Sequence, residues 1–100
     1  MKKPETMEEY LYLVDETTFE IGDLIASESR DEAEQDLDVH FSHPLEQQLK
    51  ELQETITGGN YQFEDSDLPF MVSVNEFRNR IPFVDMLDMI NRTHREGLGE

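Results

Sequence analysis

The sequence predicts an all-α fold, a small bundle of three to four helices at about 6–29, 43–57, 74–80 and 82–96. Apolar residues recur every three to four positions, and most glycines and prolines fall between the periodic segments. A chain of 100 residues has room for one core, so we treat residues 1–100 as a single domain. Apolar residues make up only 36% of the chain, which predicts a modest core.

The first helix has the clearest signals. Residues 6–9, Thr-Met-Glu-Glu, have the form of a capping box, in which a hydroxyl and a carboxylate each accept a free backbone N–H. Leu13 and Phe19 fall off the apolar stripe, which predicts a broad buried face or a second contact such as a homodimer interface. Gly22 is either a close-packing point or a weak point of the helix. The apolar stripe comprises Met7, Tyr10, Leu11, Val14, Ile21, Leu24 and Ile25.

The second helix has a start and a stop signal. Ser42 or His43 can cap it, and Pro44 suits its first turn because proline needs no N–H partner there. Gly58 and Gly59 end it, since glycine adopts the left-handed conformation of a helix C-terminus at low cost. Its apolar seam consists of Leu45, Leu49, Leu52 and Ile56.

Residues 60–74 allow two interpretations. Aromatic and polar residues alternate at 61–63, and the Phe-Met-Val-Ser-Val segment at 70–74 has the composition of a strand. A hairpin at about 60–74, and hence an α+β fold, is therefore the alternative. We favour the helical interpretation, in which residues 73–76 form a capping box for a short helix that ends at Arg80.

The last helix begins after a proline and ends before a glycine. Pro82 suits its first turn and Gly97 follows its last periodic residue. One face carries Phe83, Met86, Leu87, Ile90 and His94. The C-terminal arginines are expected to pair with acids of the same chain, or alternatively to dock on an acidic partner or a second copy. These are Arg78, Arg80, Arg92 and Arg95.

The formal net charge of −16 is unevenly distributed. Residues 1–67 hold 19 acidic side chains against four basic ones, whereas residues 68–100 hold five against four. Such a surface repels nucleic acid and anionic lipid and attracts basic patches. It argues against direct nucleic-acid binding, which needs a basic face, and predicts a protein partner with a basic surface.

The acids concentrate on the first helix and in the segment after it. Residues 27–40 have little to bury and much like charge, so we expect a mobile acidic loop there. The predicted function is a non-enzymatic adaptor or inhibitor, with a nucleic-acid mimic as the alternative. The predicted interaction face comprises Glu16, Glu20, Asp23, Glu28, Asp31, Glu32, Glu34, Asp36 and Asp38.

Residues 36–46 support a second alternative, a small metal-binding module. Imidazoles and carboxylates are suitable ligands for first-row metals, and the candidates are Asp36, Asp38, His40, His43 and Glu46. His40 and His43 could share an ion on one helical turn, although Pro44 argues against a continuous helix through both. A calcium loop fits poorly, because Phe41 stands where glycine is needed.

No catalytic motif is found. The chain has no cysteine, and no glycine-rich elbow surrounds a serine or threonine. The glycines at 58–59 have no lysine nearby for a phosphate loop, so we expect neither an enzyme nor a cofactor. No run approaches the ~18 apolar residues of a membrane span. We therefore expect a cytoplasmic monomer or homodimer without membrane contact.

Overall fold

A computed structural model describes residues 2–30 and 39–99, with side chains at 2–26 and 42–99. The predicted helical bundle is confirmed. Within the described residues there is no strand, so the hairpin alternative is wrong. The elements are α1 (Met7–Arg30), α2 (Val39–Thr57), α3 (Met71–Glu76), a short 3-10 helix (Arg78–Arg80) and α4 (Val84–Glu96).

The N-terminal cap of α1 forms as predicted, with one variation. The Glu9 N–H donates to Thr6 Oγ1 at 3.1 Å. The Glu9 carboxylate accepts the N–H of Glu5 at 3.1 Å, one residue before the cap position at Thr6. One free donor of the helix, the Glu9 N–H, is therefore satisfied, and acids lie near its positive end.

The start of α2 differs from the prediction. The helix begins at Val39, so Ser42 and His43 lie inside it and neither caps it. Pro44 also lies inside, where it removes one backbone hydrogen bond. The buried side chains Leu45 and Leu49 explain why the helix is maintained, since packing of an apolar face outweighs local propensity.

The end of α2 agrees with the prediction. Gly59 adopts a φ of 76°, in the left-handed region. The Asn60 N–H donates to the carbonyl of Thr55 and the Gly59 N–H to that of Ile56, both at 3.1 Å. This is the Schellman pattern, which satisfies the last carbonyls of the helix.

The short third helix begins earlier than predicted. It starts at Met71 with Phe70 at the N-cap and no side-chain cap, so the capping box predicted at residues 73–76 is wrong. Phe70, Met71 and Val74 are buried, and their packing explains the helical conformation of a strand-like sequence. The predicted 74–80 helix is thus a turn of α-helix followed by the 3-10 helix.

The core lies between α1, α2 and α4. The most extensive contacts are between α1 and α2, while α4 packs on α1 and α3 packs on α4. The molecule is 43 Å long, and α1 alone accounts for about 36 Å at ~1.5 Å per residue. The buried core comprises Tyr10, Val14, Ile21, Leu45, Leu49, Leu52, Ile56, Phe70, Met71, Val74, Ile81, Phe83, Leu87 and Ile90.

The acidic loop predicted at residues 27–40 lies only partly within the described residues. Residues 27–30 are helical, as are 39–40, while 31–38 lie outside the described part of the chain. The mobile acidic loop at 27–40 therefore stays a prediction. Among the residues described, none of the helices combines the length and apolar character needed to cross a bilayer.

Candidate functional site

The side of α1 that faces away from the core is strongly acidic. Four of its side chains, at residues 12, 16, 19 and 23, form a stripe along the helix, and the others flank that stripe. Opposite them, Tyr10, Val14 and Ile21 are fully buried. We call this surface the acidic face; it consists of Glu8, Glu9, Tyr12, Asp15, Glu16, Phe19, Glu20 and Asp23.

Two aromatic side chains lie in the middle of the acidic face. Tyr12 is 64% exposed and Phe19 is 70% exposed. The two are seven residues apart, which places them on one line about 10 Å from each other. The carboxylate of Glu16 accepts a hydrogen bond from Tyr12 and raises the pKa of its phenol. Phe19 has no polar group, so its exposed ring is stabilised when an apolar surface or a cation covers it.

Four of the carboxylates around these rings form no salt bridge within the described chain. No salt bridge joins a described cation to Glu8, Glu16, Glu20 or Asp23. The remaining acids of the face have local roles. Asp15 accepts a hydrogen bond from the side-chain amide of Gln53, and the carboxylate of Glu9 takes part in the helix cap.

A groove adjoins the acidic face at the N-terminal end of α1. Its volume is about 630 Å³, within the range of about 300–1,000 Å³ that is typical of ligand pockets. Apolar groups come from Pro4, Leu13 and Met86, and Tyr12 contributes its ring. Carboxylates at the rim include those of Glu8 and Glu16. We call this feature the α1 groove; it joins apolar surface to negative charge.

A second cluster, built from three different parts of the chain, lies inside the molecule. The hydroxyls of Tyr10 and Tyr61 are 2.8 Å apart, and the Tyr61 hydroxyl is 2.5 Å from Nδ1 of His94. The Tyr10 hydroxyl also lies 3.3 Å from the carbonyl of Ile90. The rings meet edge to face, at centroid distances of 5.4 Å for the tyrosine pair and 5.7 Å for Tyr61 with His94.

Burial shifts the titration of all three groups toward the neutral form. Desolvation, together with the hydrogen bond to Tyr61, raises the pKa of Tyr10 far above its usual value. Desolvation also raises the pKa of Tyr61 to about 12, although the hydrogen bond from Tyr10 opposes it. Burial lowers the pKa of His94, and the charge of Glu64 acts in the opposite direction. Nδ1 of neutral His94 can therefore accept a hydrogen bond from the Tyr61 hydroxyl, while the Tyr10 hydroxyl can donate to Tyr61 or to the Ile90 carbonyl.

This cluster fastens the segment after α2 to the rest of the bundle. The Glu64 N–H donates to the carbonyl of His94 at 3.2 Å, next to the tyrosine–histidine contact. A groove of about 480 Å³ lies outside Tyr61 and His94, with Glu64 and Asp67 also on its wall. The hydroxyls are satisfied inside the protein, so the arrangement serves to hold this segment in place.

A polar network fixes the next residues of the same segment. Asn91 accepts the Leu68 N–H at 2.8 Å through Oδ1 and donates to Asp67 at 2.9 Å through Nδ2. Arg95 lies 3.4 Å from Asp67 and 3.6 Å from Asp65. Both the oxygen and the nitrogen of the asparagine amide are thus used, and one C-terminal arginine contacts two acids of the loop.

The other C-terminal arginines pair in the same way. Arg78 contacts Asp88 through two hydrogen bonds of 2.7 and 2.9 Å, and this bidentate pair raises the pKa of the guanidinium. The carboxylate of Glu96 accepts from both Lys3 and Arg92 at 3.2 Å, and these contacts lower the pKa of Glu96. The predicted pairing with acids of the same chain is confirmed for Arg78, Arg92 and Arg95.

The structure shows only part of the predicted interaction face. Glu16, Glu20 and Asp23 are exposed on α1, as predicted. Glu28 belongs to the helix by its backbone, and its side chain lies outside the description. The remaining predicted members also lie outside the described residues: Asp31, Glu32, Glu34, Asp36 and Asp38.

The predicted metal ligands are likewise divided. His40 and His43 lie in one continuous helix, contrary to the expectation from Pro44. His43 is exposed, and Glu46 lies 3.7 Å from Lys50. Nowhere in the described residues do three or more imidazole or carboxylate groups gather as metal ligands would. Asp36 and Asp38 lie outside those residues, so the metal site stays a prediction.

Sequence reasoning missed Tyr12 and the partners of Tyr61. Tyr12 and Phe19 share the spacing of two helical turns on the polar side of α1, a signal that was available in the sequence. The Tyr10–Tyr61–His94 cluster gave no such signal, because its members are 33 and 51 residues apart.

Comparison with known proteins finds no relative. No family model, no curated protein and no solved structure matches the chain. The function proposed below therefore rests on the charges, exposures and contacts of the described residues.

Proposed function

We propose that the chain is a non-enzymatic, protein-binding regulator that engages a basic surface of its partner through the acidic face of α1. The observation that carries this proposal is the placement of Tyr12 and Phe19. Both rings are largely exposed in the middle of carboxylates that form no salt bridge with a described cation.

Exposed aromatics of this kind are typical of binding hot spots. Tyrosine is enriched among interface residues whose loss costs more than about 2 kcal/mol of binding free energy. Burial of the Phe19 ring against a partner would gain roughly 1.5–3 kcal/mol, a gain that the isolated chain forgoes. A lysine or arginine of the partner can also lie over the Tyr12 ring and contact Glu16 at the same time.

The charge around the rings supports a basic partner. Carboxylates without counter-charge generate a negative potential that accelerates encounter with a cationic surface and disfavours acidic ones. Because charges in solvent are screened over about 8–10 Å at physiological salt, the association is expected to weaken as salt rises. We place this encounter in the cytoplasm, a reducing compartment consistent with a cysteine-free chain; cell fractionation tests the location.

Nucleic-acid mimicry is the second candidate, and the charge density of the acidic face supports it. Six exposed carboxylates lie between Glu8 and Asp23. At ~1.5 Å rise per residue that is about one every 4–5 Å, against about 3.4 Å per phosphate along one DNA strand. In this form of the proposal, the partner's basic surface is its DNA- or RNA-binding groove.

A capture experiment on extract of the source cell tests the proposal. The wild-type chain is immobilised beside two matched variants, each with three acids neutralised. The first carries Glu16→Gln, Glu20→Gln and Asp23→Asn on the acidic face. The control carries Glu51→Gln, Glu54→Gln and Glu76→Gln, which are exposed on other surfaces. Both variants change the net charge equally, so only the position of the charge differs.

The proposal predicts that the wild type and the control capture the same protein and that the acidic-face variant loses it. Capture is expected to fall between about 50 and 300 mM salt, because the carboxylates are solvent-exposed. Equal capture by both variants, or capture that ignores salt, would contradict the proposal. Displacement of the partner by duplex DNA would select the mimic, and resistance to DNA would select ordinary protein binding.

A further inference from the structure

We infer that the α1 groove receives one apolar side chain of a basic segment in the partner, with lysine or arginine on either side of it. The inference rests on the proposed function and makes it more specific. It replaces a general attraction between surfaces with a defined anchor point at Tyr12, Leu13 and Met86.

The groove combines the two kinds of surface that such a segment needs. Leu13 and Met86 are half-buried and Pro4 is buried, so part of the wall is apolar and already ordered. An aliphatic or aromatic side chain that enters displaces water from this wall, which is the main source of favourable free energy in such contacts. The volume of about 630 Å³ accommodates the side chain together with part of its backbone.

The rim specifies the charge of the neighbouring residues. Glu8 and Glu16 are exposed at the groove and form no salt bridge with a described cation. Lys2 also lies at the groove, but its ammonium contacts Glu5 at 3.3 Å. A cation of the partner can therefore contact the rim carboxylates while its alkyl chain covers the Tyr12 ring. An acidic or neutral segment would leave those carboxylates partly desolvated without compensation.

Two synthetic peptides test the inference with the unmodified chain. Each has 13 residues with lysine or arginine at six positions and serine or glycine elsewhere; the central residue is phenylalanine in one and alanine in the other. The affinities are measured at low salt, and the ε-methyl signals of the methionines are followed by NMR. Met86 reports on the groove, while Met71 and Met89 are buried and serve as internal references.

The phenylalanine peptide is expected to bind about 10-fold more tightly than the alanine peptide, since ring burial contributes more than 1.4 kcal/mol, the equivalent of a tenfold change. Its addition is expected to shift the Met86 methyl signal and to leave those of Met71 and Met89 unchanged. Met86→Gln should remove most of the difference between the peptides. Val72→Gln, at a side chain that is 78% exposed on α3, is the matched control and should retain it.

The possible failures are distinguishable. Equal affinities for the two peptides, or a preference that survives Met86→Gln, would overturn the groove inference and leave the charge-based function standing. Absence of binding by both peptides at low salt would overturn the function and the inference together. Because the first comparison uses the unmodified protein, it does not depend on the folding of any variant.

Discussion

On the acidic face of α1, Glu16, Glu20 and Asp23 lie in solvent without a salt bridge to a described residue. In the last third of the chain, by contrast, three arginines form salt bridges with acids between residues 65 and 96. The aromatic residues differ in the same way. Tyr61 is held by Tyr10 and His94, while Phe19 is 70% exposed. Polar contacts in the C-terminal region hold the fold together, whereas four carboxylates of the acidic face form no salt bridge with a described cation. We therefore expect substitutions in the C-terminal region to change stability and substitutions on the acidic face to change binding.

The largest effect on stability is expected from Tyr61→Phe. The hydroxyl that is lost contacts both Tyr10 and His94, so the substitution removes the described partner of His94 Nδ1 and leaves the Tyr10 hydroxyl only the Ile90 carbonyl at 3.3 Å. We expect the free energy of unfolding to fall by about 1–3 kcal/mol in chemical denaturation. Tyr12→Phe is the matched control and should leave it unchanged. Equal losses in the two variants would show that the comparison between the surfaces is wrong.

Two glycine substitutions should act in opposite directions. A Cβ at Gly22 would meet only Glu46 Oε2 at 3.6 Å, an ordinary contact, so this glycine is a weak point of the helix. Gly22→Ala is expected to stabilise the protein by about 0.5–1 kcal/mol. Gly59→Ala should destabilise it by about 1 kcal/mol, since a left-handed φ of 76° is unfavourable for alanine. Thermal denaturation measures both, and destabilisation by Gly22→Ala would reveal a packing role.

Stability should depend on the protonation of His94. Burial lowers its pKa in the folded state, so the unfolded chain binds a proton first as the pH falls. The contribution of neutral His94 to the free energy of unfolding is complete above the pKa of about 6.5 that histidine has in the unfolded chain. It is lost progressively as the pH falls from there toward the lower pKa of the folded state. Denaturation midpoints between about pH 7.5 and 5.5 test this. His94→Gln should flatten the profile; a profile with the same slope as that of the wild type would refute the assignment.

The smallest effect on stability is expected from the acidic-face variant. Glu16→Gln, Glu20→Gln and Asp23→Asn remove no salt bridge between described residues and reduce repulsion, so the unfolding midpoint should stay the same or rise slightly. Asp88→Asn is the control and should lower the midpoint, because it disrupts the bidentate contact with Arg78. A clear loss in the triple variant would mean that these acids contribute to folding.

The parts of the fold that the sequence predicted correctly depend on local signals. The cap at residues 6–9 and the stop at Gly59 need only neighbouring residues to form. The errors occurred where distant packing decides. The helix through Pro44 is held by Leu45 and Leu49 against α1, and the start of α3 is set by the burial of Phe70. Neither contact is visible in a local pattern.

The candidate site was predictable to a similar extent. Periodicity placed Glu16, Glu20 and Asp23 on the polar side of α1, and Phe19 was noted as off the buried stripe. The groove was not predictable, since Leu13 and Met86 lie 73 residues apart in the sequence and meet only through the packing of α1 against α4.

Hydroxyl-radical footprinting of the captured complex shows whether the partner covers the two exposed rings of the acidic face. Tyr12 and Phe19 are exposed and react readily in the free chain, while Phe63 (38% exposed) and Val72 (78%) report on other surfaces. We expect the partner to reduce the oxidation of Tyr12 and Phe19 strongly and to leave Phe63 and Val72 at the rates of the free chain. Protection of Val72 or Phe63, with Tyr12 and Phe19 still oxidised as in the free chain, would contradict it.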